Sequence, residues 1–329
     1  MRVLVTGAGS LLMGSIASNL LHRGDDVVCL QRRTPTFDGS AHVQHVLADI
    51  CDGESVAQAA RGCDAIIHGA ARVGVVGNWN DFATVNVDGT ANVLAATKMH
   101  DVSRLVYVST PSVAHSGRSI IGDVARAAVT GRKHSHYAES KAIAEQMVLG
   151  ASNNHFAVVA TRPHLIWGPG DTQLVGRVVE RASRGRLTIA GTGDALVDTT
   201  YIDNAVSAHI GALDALHSGA TCDGQVYVIA NGEPRTVNEL MRSICTAAGV
   251  AFEPRYIGLA LAERMGWVIE RVWPKVRGTE PPITRFVAQQ LGTAHWFDPR
   301  PARQHLRWVP HVSLDEGFIR LAQWYALRL

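Results

Sequence analysis

Tyr137 and Lys141 stand four positions apart in the run YAESK, a spacing that puts both side chains on one face of a helix. A free tyrosine has a pKa near 10 and is a poor proton donor or acceptor at neutral pH. A lysine ammonium one turn away favours the phenolate. Lowering the phenol by about 3 units needs roughly 4 kcal/mol of differential stabilisation, within reach of an adjacent cation helped by a second positive group. Taken alone, Y-x-x-x-K recurs by chance, and a lysine laid along an exposed helix is the competing reading. The run RLVYVS shifts that balance, because it reads as a strand and leads into Thr110, Pro111 and Ser112. In a parallel sheet this puts Thr110 at the carboxyl edge beside the Tyr137 helix. Its hydroxyl can then hydrogen-bond an oxygen that gains or loses its proton. A turn-forming hydroxyl is the alternative, and it suits Ser112 better than Thr110.

A second constellation lies at the start of the chain. TGAGSLLMG, Thr6 to Gly14, closes a strand and opens a helix. Gly7 and Gly9 let the backbone approach a pyrophosphate, and the amides of Ser10, Leu11 and Leu12 open the helix whose dipole favours it. The second strand ends on Gln31, Arg32 and Arg33, where a carboxylate would usually meet a free ribose 2′-hydroxyl. A guanidinium pairs instead with a 2′-phosphate. Arg32 therefore predicts NADP(H) in preference to NAD(H), the alternative being two solvated loop arginines. Asp49 and Ile50, after the third apolar run, are placed to meet the adenine; an exposed loop carboxylate is the alternative for Asp49.

The elements that must hold these groups alternate. RVLVT, DVVCL, HVLA, AIIHGA, RLVYVST and FAVVATRP are apolar runs without polar alternation, as in strands buried on both faces. GSIASNLLHRG and GTANVLAATKMHD between them have helical spacing. This predicts an α/β fold, a doubly wound parallel sheet of Rossmann type with ligands beyond the strand carboxyl ends. Residues 1–170 form its dinucleotide-binding domain, strands near 195–230 return to it, and 171–329 are mainly a smaller substrate-binding cap. GPGD marks the boundary, a basic helix runs from Gln173 to Arg184, and VDTTYI and QVYVIANG read as strands. The stretch Tyr256 to Trp273 reads as an amphipathic helix. The cap region holds five of the seven tryptophans, which suits an apolar pocket or lid, or equally a cap packed on its own core.

Composition narrows the class. The hydrophobic fraction is 47%, the charged fraction 18% and the formal net charge +2, so a sizeable core can be buried and no basic face for nucleic acid is expected. The five cysteines include no C-x-x-C pair, which predicts reduced thiols in a cytoplasmic protein. The chain opens directly on a strand-like MRVLVTG with no signal peptide, and no apolar stretch is long enough for a membrane span. The fifteen histidines show no metal-ligand spacing, so no metal is expected. His115 and His164 fall near the presumed substrate edge, as pocket-lining or packing residues.

These motifs together resemble the extended short-chain dehydrogenase/reductase family over nearly the whole chain. HGAA, His68 to Ala71, is similar to its cofactor-contacting segment, with Ala70 and Ala71 against the dinucleotide. NVDGTANVL, from Asn86, is similar to its structural asparagine helix. ATRPHLIWGPGD resembles the segment whose proline, here Pro163, abuts the nicotinamide. The resemblance implies a catalytic set of Thr110, Tyr137 and Lys141 supported by Asn86, with Lys141 also holding the nicotinamide ribose. It departs from the family in the glycine loop. The usual spacing is T-G-x-x-G-x-x-G, whereas here one extra residue intervenes, and Ser10 and Met13 stand where glycines are expected.

Within the family the likeness is to the 3β-hydroxysteroid dehydrogenase branch. STPSV, VDTTYIDNAVSAH, NGEP and PPITRF resemble the bacterial 2-alkyl-3-oxoalkanoate reductases of long-chain olefin biosynthesis. That implies NADPH-dependent reduction of a β-keto acid to a β-hydroxy acid, with Ser112, His164 and Arg177 on the substrate side. A 3β-hydroxysteroid dehydrogenase is the alternative. A nucleotide-sugar epimerase or dehydratase is a further one, with Arg177, Arg181, Arg184 and Arg186 clamping a diphosphate rather than forming a solvated face. A non-catalytic redox-sensing binder would have lost Thr110, Tyr137 and Lys141, which this chain keeps. The family also implies a homodimer through the helix after Asn86 and the one containing Tyr137. Assembly with pathway enzymes is a further expectation.

Overall fold

A computed structural model of the chain describes residues 1–33, 42–74, 77–114, 119–131, 135–272 and 284–328. His115 and Trp273 lie outside them. Seven strands form the central sheet: β1 (Arg2–Thr6), β2 (Asp26–Gln31), β3 (Val43–Leu47), β4 (Ala65–His68), β5 (Arg104–Val108), β6 (Ala157–Pro163) and β7 (Gln225–Ile229). Their spatial order is β7-β6-β5-β4-β1-β2-β3, and every pairing is parallel. The order reverses between β1 and β4, which opens a crevice at their carboxyl ends.

The apolar runs form strands because helices cover both faces, except that HVLA, expected to be buried on both faces, becomes the edge strand β3, with no fully buried residue and Leu47 exposed. On one face Leu12, Met13, Ile16 and Leu20 of α1 (Leu11–His22) and Ala205, Val206, Ala208 and Ala212 of the later helix Ile202–Ala215 pack on Val3, Val5, Ile67 and Val106. On the other, α2 (Gly53–Ala60), α3 (Gly89–Met99) and α4 (His136–Leu149) pack on Leu4, Val28, Ile66, Leu105 and Val158.

The second half of the chain departs from the expected strands. VDTTYI is not one strand. Leu196–Val197 joins a four-stranded sheet, Thr200–Tyr201 pairs with Ile166–Trp167, and Ile202 opens the helix that packs beside α1. The stretch from Tyr256 is likewise divided: Arg255–Ile257 pairs in parallel with Thr188–Ala190, and the helix runs Leu259–Val272. Gly258 separates the two. The basic helix spans Val175–Ser183, with the Asp171 carboxylate accepting the amides of Gln173, Leu174 and Val175. In the four-stranded sheet, Ile120–Asp123 pairs in parallel with His295–Phe297, which draws the tail against the segment following Thr110.

Candidate active site

The glycine loop is built around close approach. Gly7 has φ +78°, and a Cβ there would lie 2.9 Å from the backbone N and Cα of Ala70. Only glycine tolerates both conditions. A Cβ on Gly9 would meet nothing within 4 Å, so the loop leaves open space beside the helix start. Ser10 caps α1 through its hydroxyl, which accepts the Met13 amide, and no acidic side chain occupies the first turn. The expected extra residue is not found: Gly7, Ser10 and Met13 keep the spacing of three and the helix opens directly after Ser10, so two glycines are substituted and nothing is inserted. Met13 packs its thioether on Gly69, where any Cβ would collide with it, so the space-saving glycine has moved from the helix to the facing segment. Leu12 is buried beneath the loop, and Leu11 is exposed beside the Gly170 turn. The open loop, the helix terminus beside it and the absence of an acid together fit a dinucleotide pyrophosphate.

At the end of β2, Arg32 is 76% exposed and 3.9 Å from the Asp49 carboxylate, so the two side chains named for the adenosine end share one corner. Ile50 turns its side chain into the core against Gly89. Gln31 is buried, and neither its Oε1 nor its Nε2 has a hydrogen-bond partner among the described residues.

A directed hydrogen-bond chain joins this loop to the catalytic helix. The amides of Gly69 and Ala70 donate to Thr6 Oγ1, which lies 2.7 Å from His68 Nδ1. His68 Nε2 lies 3.0 Å from Thr90 Oγ1, which donates to the Asn86 carbonyl at 2.6 Å. Each hydroxyl has one proton to give. Thr90 spends its own on Asn86, so His68 carries its proton on Nε2 and accepts on Nδ1. Burial pushes this imidazole down to about 3, and the Lys141 charge adds to the effect. Asn86 sits in a π-helical turn, Thr84–Asp88. Its Oδ1 accepts the Arg72 amide, and its Nδ2 donates to the Arg72 carbonyl and to Ser140 Oγ. Ser140 in turn donates to the carbonyl of Tyr137.

Thr110, Tyr137 and Lys141 are brought together. Thr110 stands close enough to the Tyr137 phenol to act on its titration, and its hydroxyl caps the short 3₁₀ turn Pro111–Val113 by accepting the Ser112 amide. Thr110 thus performs the turn-capping expected of Ser112, whose hydroxyl accepts from Thr110 at 3.2 Å. Burial raises the Tyr137 phenol, and Thr110 partly opposes it. The expected depression by Lys141 is absent. The ammonium is buried, donates to the Val108 carbonyl at 2.7 Å and lies 4.1 Å from the centre of the Tyr107 ring. Burial pulls Lys141 down to about 7, against the opposing pull of Glu145.

The substrate-side residues separate. His164, next to Pro163, is buried; its Nε2 lies 3.0 Å from His295 Nδ1, and its ring stands edge-on to Phe297. His295 donates from Nε2 to the Gln290 carbonyl. Pro111, Ile120, His164, Gln290, His295 and Phe297 line a small cavity beside the catalytic edge. Sequence reasoning missed His295 and Phe297, because their strand is three residues long and lies 131 residues from His164. Arg177 hydrogen-bonds Gln173 in the turn before its helix, and Arg184 pairs with Glu180.

A parallel sheet with a switch-point crevice, a cradle for pyrophosphate and a Thr–Tyr–Lys cluster define a nicotinamide-dependent oxidoreductase of the short-chain dehydrogenase type. The chain belongs to the 3-beta hydroxysteroid dehydrogenase/isomerase family, which it matches over residues 4–260. It is 43% identical to a 2-alkyl-3-oxoalkanoate reductase of Stenotrophomonas maltophilia (strain K279a), with 98% of each chain covered. It is 39% identical to a 2-alkyl-3-oxoalkanoate reductase of Shewanella oneidensis, covering 96% of this chain and 84% of that one. Among solved structures, MoeE5 in complex with UDP-glucuronic acid and NAD is similar with a TM-score of 0.75 at 22% identity, covering 100% of both chains, a likeness of fold. Among the described residues, no helix is long and apolar enough to cross a membrane.

Proposed function

We propose that the protein reduces the ketone of a 2-alkyl-3-oxoalkanoate to the β-hydroxy acid with NADPH, in long-chain olefin biosynthesis. The observation that carries the reading is the Thr110–Tyr137–Lys141 cluster at the carboxyl edge of the sheet, in a chain so similar along its whole length to two reductases of that name. Support for NADPH comes from the exposed Arg32 at the end of β2, where a 2′-phosphate would find a guanidinium. The residues that would hold the dinucleotide are Gly7, Gly9, Ser10, Leu11 and Leu12 at the pyrophosphate, Arg32 and Asp49 at the adenosine, and Ala70, Ala71, Lys141 and Pro163 toward the nicotinamide.

The dinucleotide, when bound, supplies the hydride. Tyr137 donates its phenolic proton to the ketone oxygen as negative charge develops there. Burial favours the protonated phenol, so the donor is loaded in the resting protein. Thr110 hydrogen-bonds the same oxygen and stabilises the charge where it forms. Lys141, directed at the Val108 carbonyl and the Tyr107 ring, would hold the nicotinamide ribose. Asn86 holds the helix in register through Ser140. We place the working form in the cytoplasm as a homodimer joined through α3 and α4.

The test is a panel of ketones incubated with NADPH, followed by loss of nicotinamide absorbance: a 2-alkyl-3-keto acid, a 3-ketosteroid and a UDP-sugar. Oxidation with the keto acid and release of the hydroxy acid are expected. Oxidation with the steroid alone would overturn the substrate assignment.

A further inference from the structure

Behind the catalytic cluster, three elements converge on one carboxylate. Glu145 lies on α4 one turn past Lys141, with its side chain fully buried. Ser109 Oγ donates to its Oε2 at 2.6 Å, Arg162 Nε donates to the same oxygen at 2.9 Å, and Arg162 Nη2 donates to Oε1 at 2.5 Å. Arg162 Nη2 also donates to the Arg126 carbonyl at 2.7 Å. Ser109 immediately precedes Thr110, and Arg162 immediately precedes Pro163. Each residue of this clamp is therefore the chain neighbour, or the next-turn neighbour, of a residue in the site.

A buried ion pair adds little net stability, because desolvation offsets the Coulombic gain. The clamp's charge has a clearer effect on its neighbour. Around the Lys141 ammonium stand Tyr137 and Glu145 on its own helix, Tyr107 on β5, the neutral His68 on β4, and Arg162 on β6 beyond Glu145. Of these groups, Glu145 brings the negative charge.

We propose that Glu145 is a positioning residue acting through Lys141: held by Ser109 and Arg162, its carboxylate sets the spacing of the elements carrying Thr110, Lys141 and Pro163 and places a buried negative charge one helical turn from the Lys141 ammonium. The reading of Lys141 as part of the catalytic cluster underlies this assignment. Burial alone depresses the lysine, and Glu145 opposes it. Removing the carboxylate therefore moves the Lys141 midpoint to lower pH.

Glu145→Gln alone would leave a buried, unbalanced guanidinium. The decisive variant is Glu145→Gln combined with Arg162→Met, which removes both charges together. The chain has four lysines, Lys98, Lys133, Lys141 and Lys275. Lys141 can therefore be followed directly by lysine-selective NMR titration of the cofactor-free protein. The expected result is a cooperatively folded double variant whose Lys141 midpoint is lower by about one unit or more. The basic limb of kcat for ketone reduction should fall by the same amount, about a tenfold loss of turnover above both midpoints. A folded double variant with the wild-type Lys141 midpoint overturns the proposal and leaves the clamp a structural tie. A lowered midpoint with an unmoved kcat limb supports the charge assignment and overturns the catalytic reading of Lys141.

Discussion

Acid sensitivity of the fold follows from two imidazoles buried on either side of the central sheet. Burial pushes His68 down to about 3 and His209 down to about 4. Both are fully enclosed and committed to hydrogen bonds that use the neutral ring. His68 lies between Thr6 and Thr90, and His209 donates from Nδ1 to the Ala205 carbonyl with Nε2 3.0 Å from Thr161 Oγ1. An unfolded histidine titrates near 6.5. As pH falls below that value the unfolded chain takes up protons that the folded chain refuses, so stability is full above about 6.5 and is lost on acidification toward the folded midpoints. Each imidazole contributes a slope of about 1.4 kcal/mol per pH unit, and two contribute about 2.7. Between pH 6.5 and 5 the loss integrates to about 3 kcal/mol, because the slope is only half developed at 6.5, and it is a large part of a typical total of about 5–15 kcal/mol. Equilibrium denaturation near pH 7, 6 and 5 measures it. A His209→Gln variant should be less stable near neutrality yet lose about half of the pH slope. An unchanged slope in that variant, or a flat wild-type profile across the range, refutes the reasoning.

Four further outcomes are expected. Thr90→Val removes the hydroxyl that takes the His68 proton and leaves two buried groups unsatisfied; it should cost about 2 kcal/mol or more in denaturant titration, while Thr90→Ser stays near wild type. Gly7→Ala forces a side chain into a positive-φ site 2.9 Å from Ala70 backbone, so calorimetry should show a lower Tm and fluorescence titration weaker dinucleotide binding. Arg32→Ala should raise KM for NADPH about tenfold or more and leave KM for NADH nearly unchanged, as loss of one charge-assisted contact to a 2′-phosphate requires. Thr110→Val should lower kcat more than it raises KM in steady-state assays, with Thr110→Ser retaining most of the turnover, because the hydroxyl acts on charge that develops in the transition state.

What could be read from the sequence followed local rules. The β1–α1 turn, the runs buried on both faces and the arginine ending β2 are each specified by neighbours within a few residues. They lie in the structure where their patterns indicate, apart from HVLA, which forms a partly exposed edge strand. The i, i+4 spacing of Tyr137 and Lys141 also gave the helix correctly, but not their electrostatics. Lys141 is turned toward Val108 and Tyr107 rather than held against the phenol, and that direction depends on β5, a strand far away in the chain. The same limit explains the clamp on Glu145, whose partners come from β6 and from the residue after β5. It explains His295 as well, which reaches His164 through a three-residue strand too short to show alternation. The compensation of Met13 by Gly69 could not be seen as a motif either, because the glycine that makes room lies on a different element from the residue that needs it.

Tyr137 as proton donor for ketone reduction is tested by the turnover of a 2-alkyl-3-keto acid with NADPH in a Tyr137→Phe variant. The ring is retained and only the hydroxyl is removed, so dinucleotide binding measured in parallel should be preserved while kcat falls by about 10²–10⁴-fold. A folded variant that binds NADPH and turns over at the wild-type rate would contradict the account.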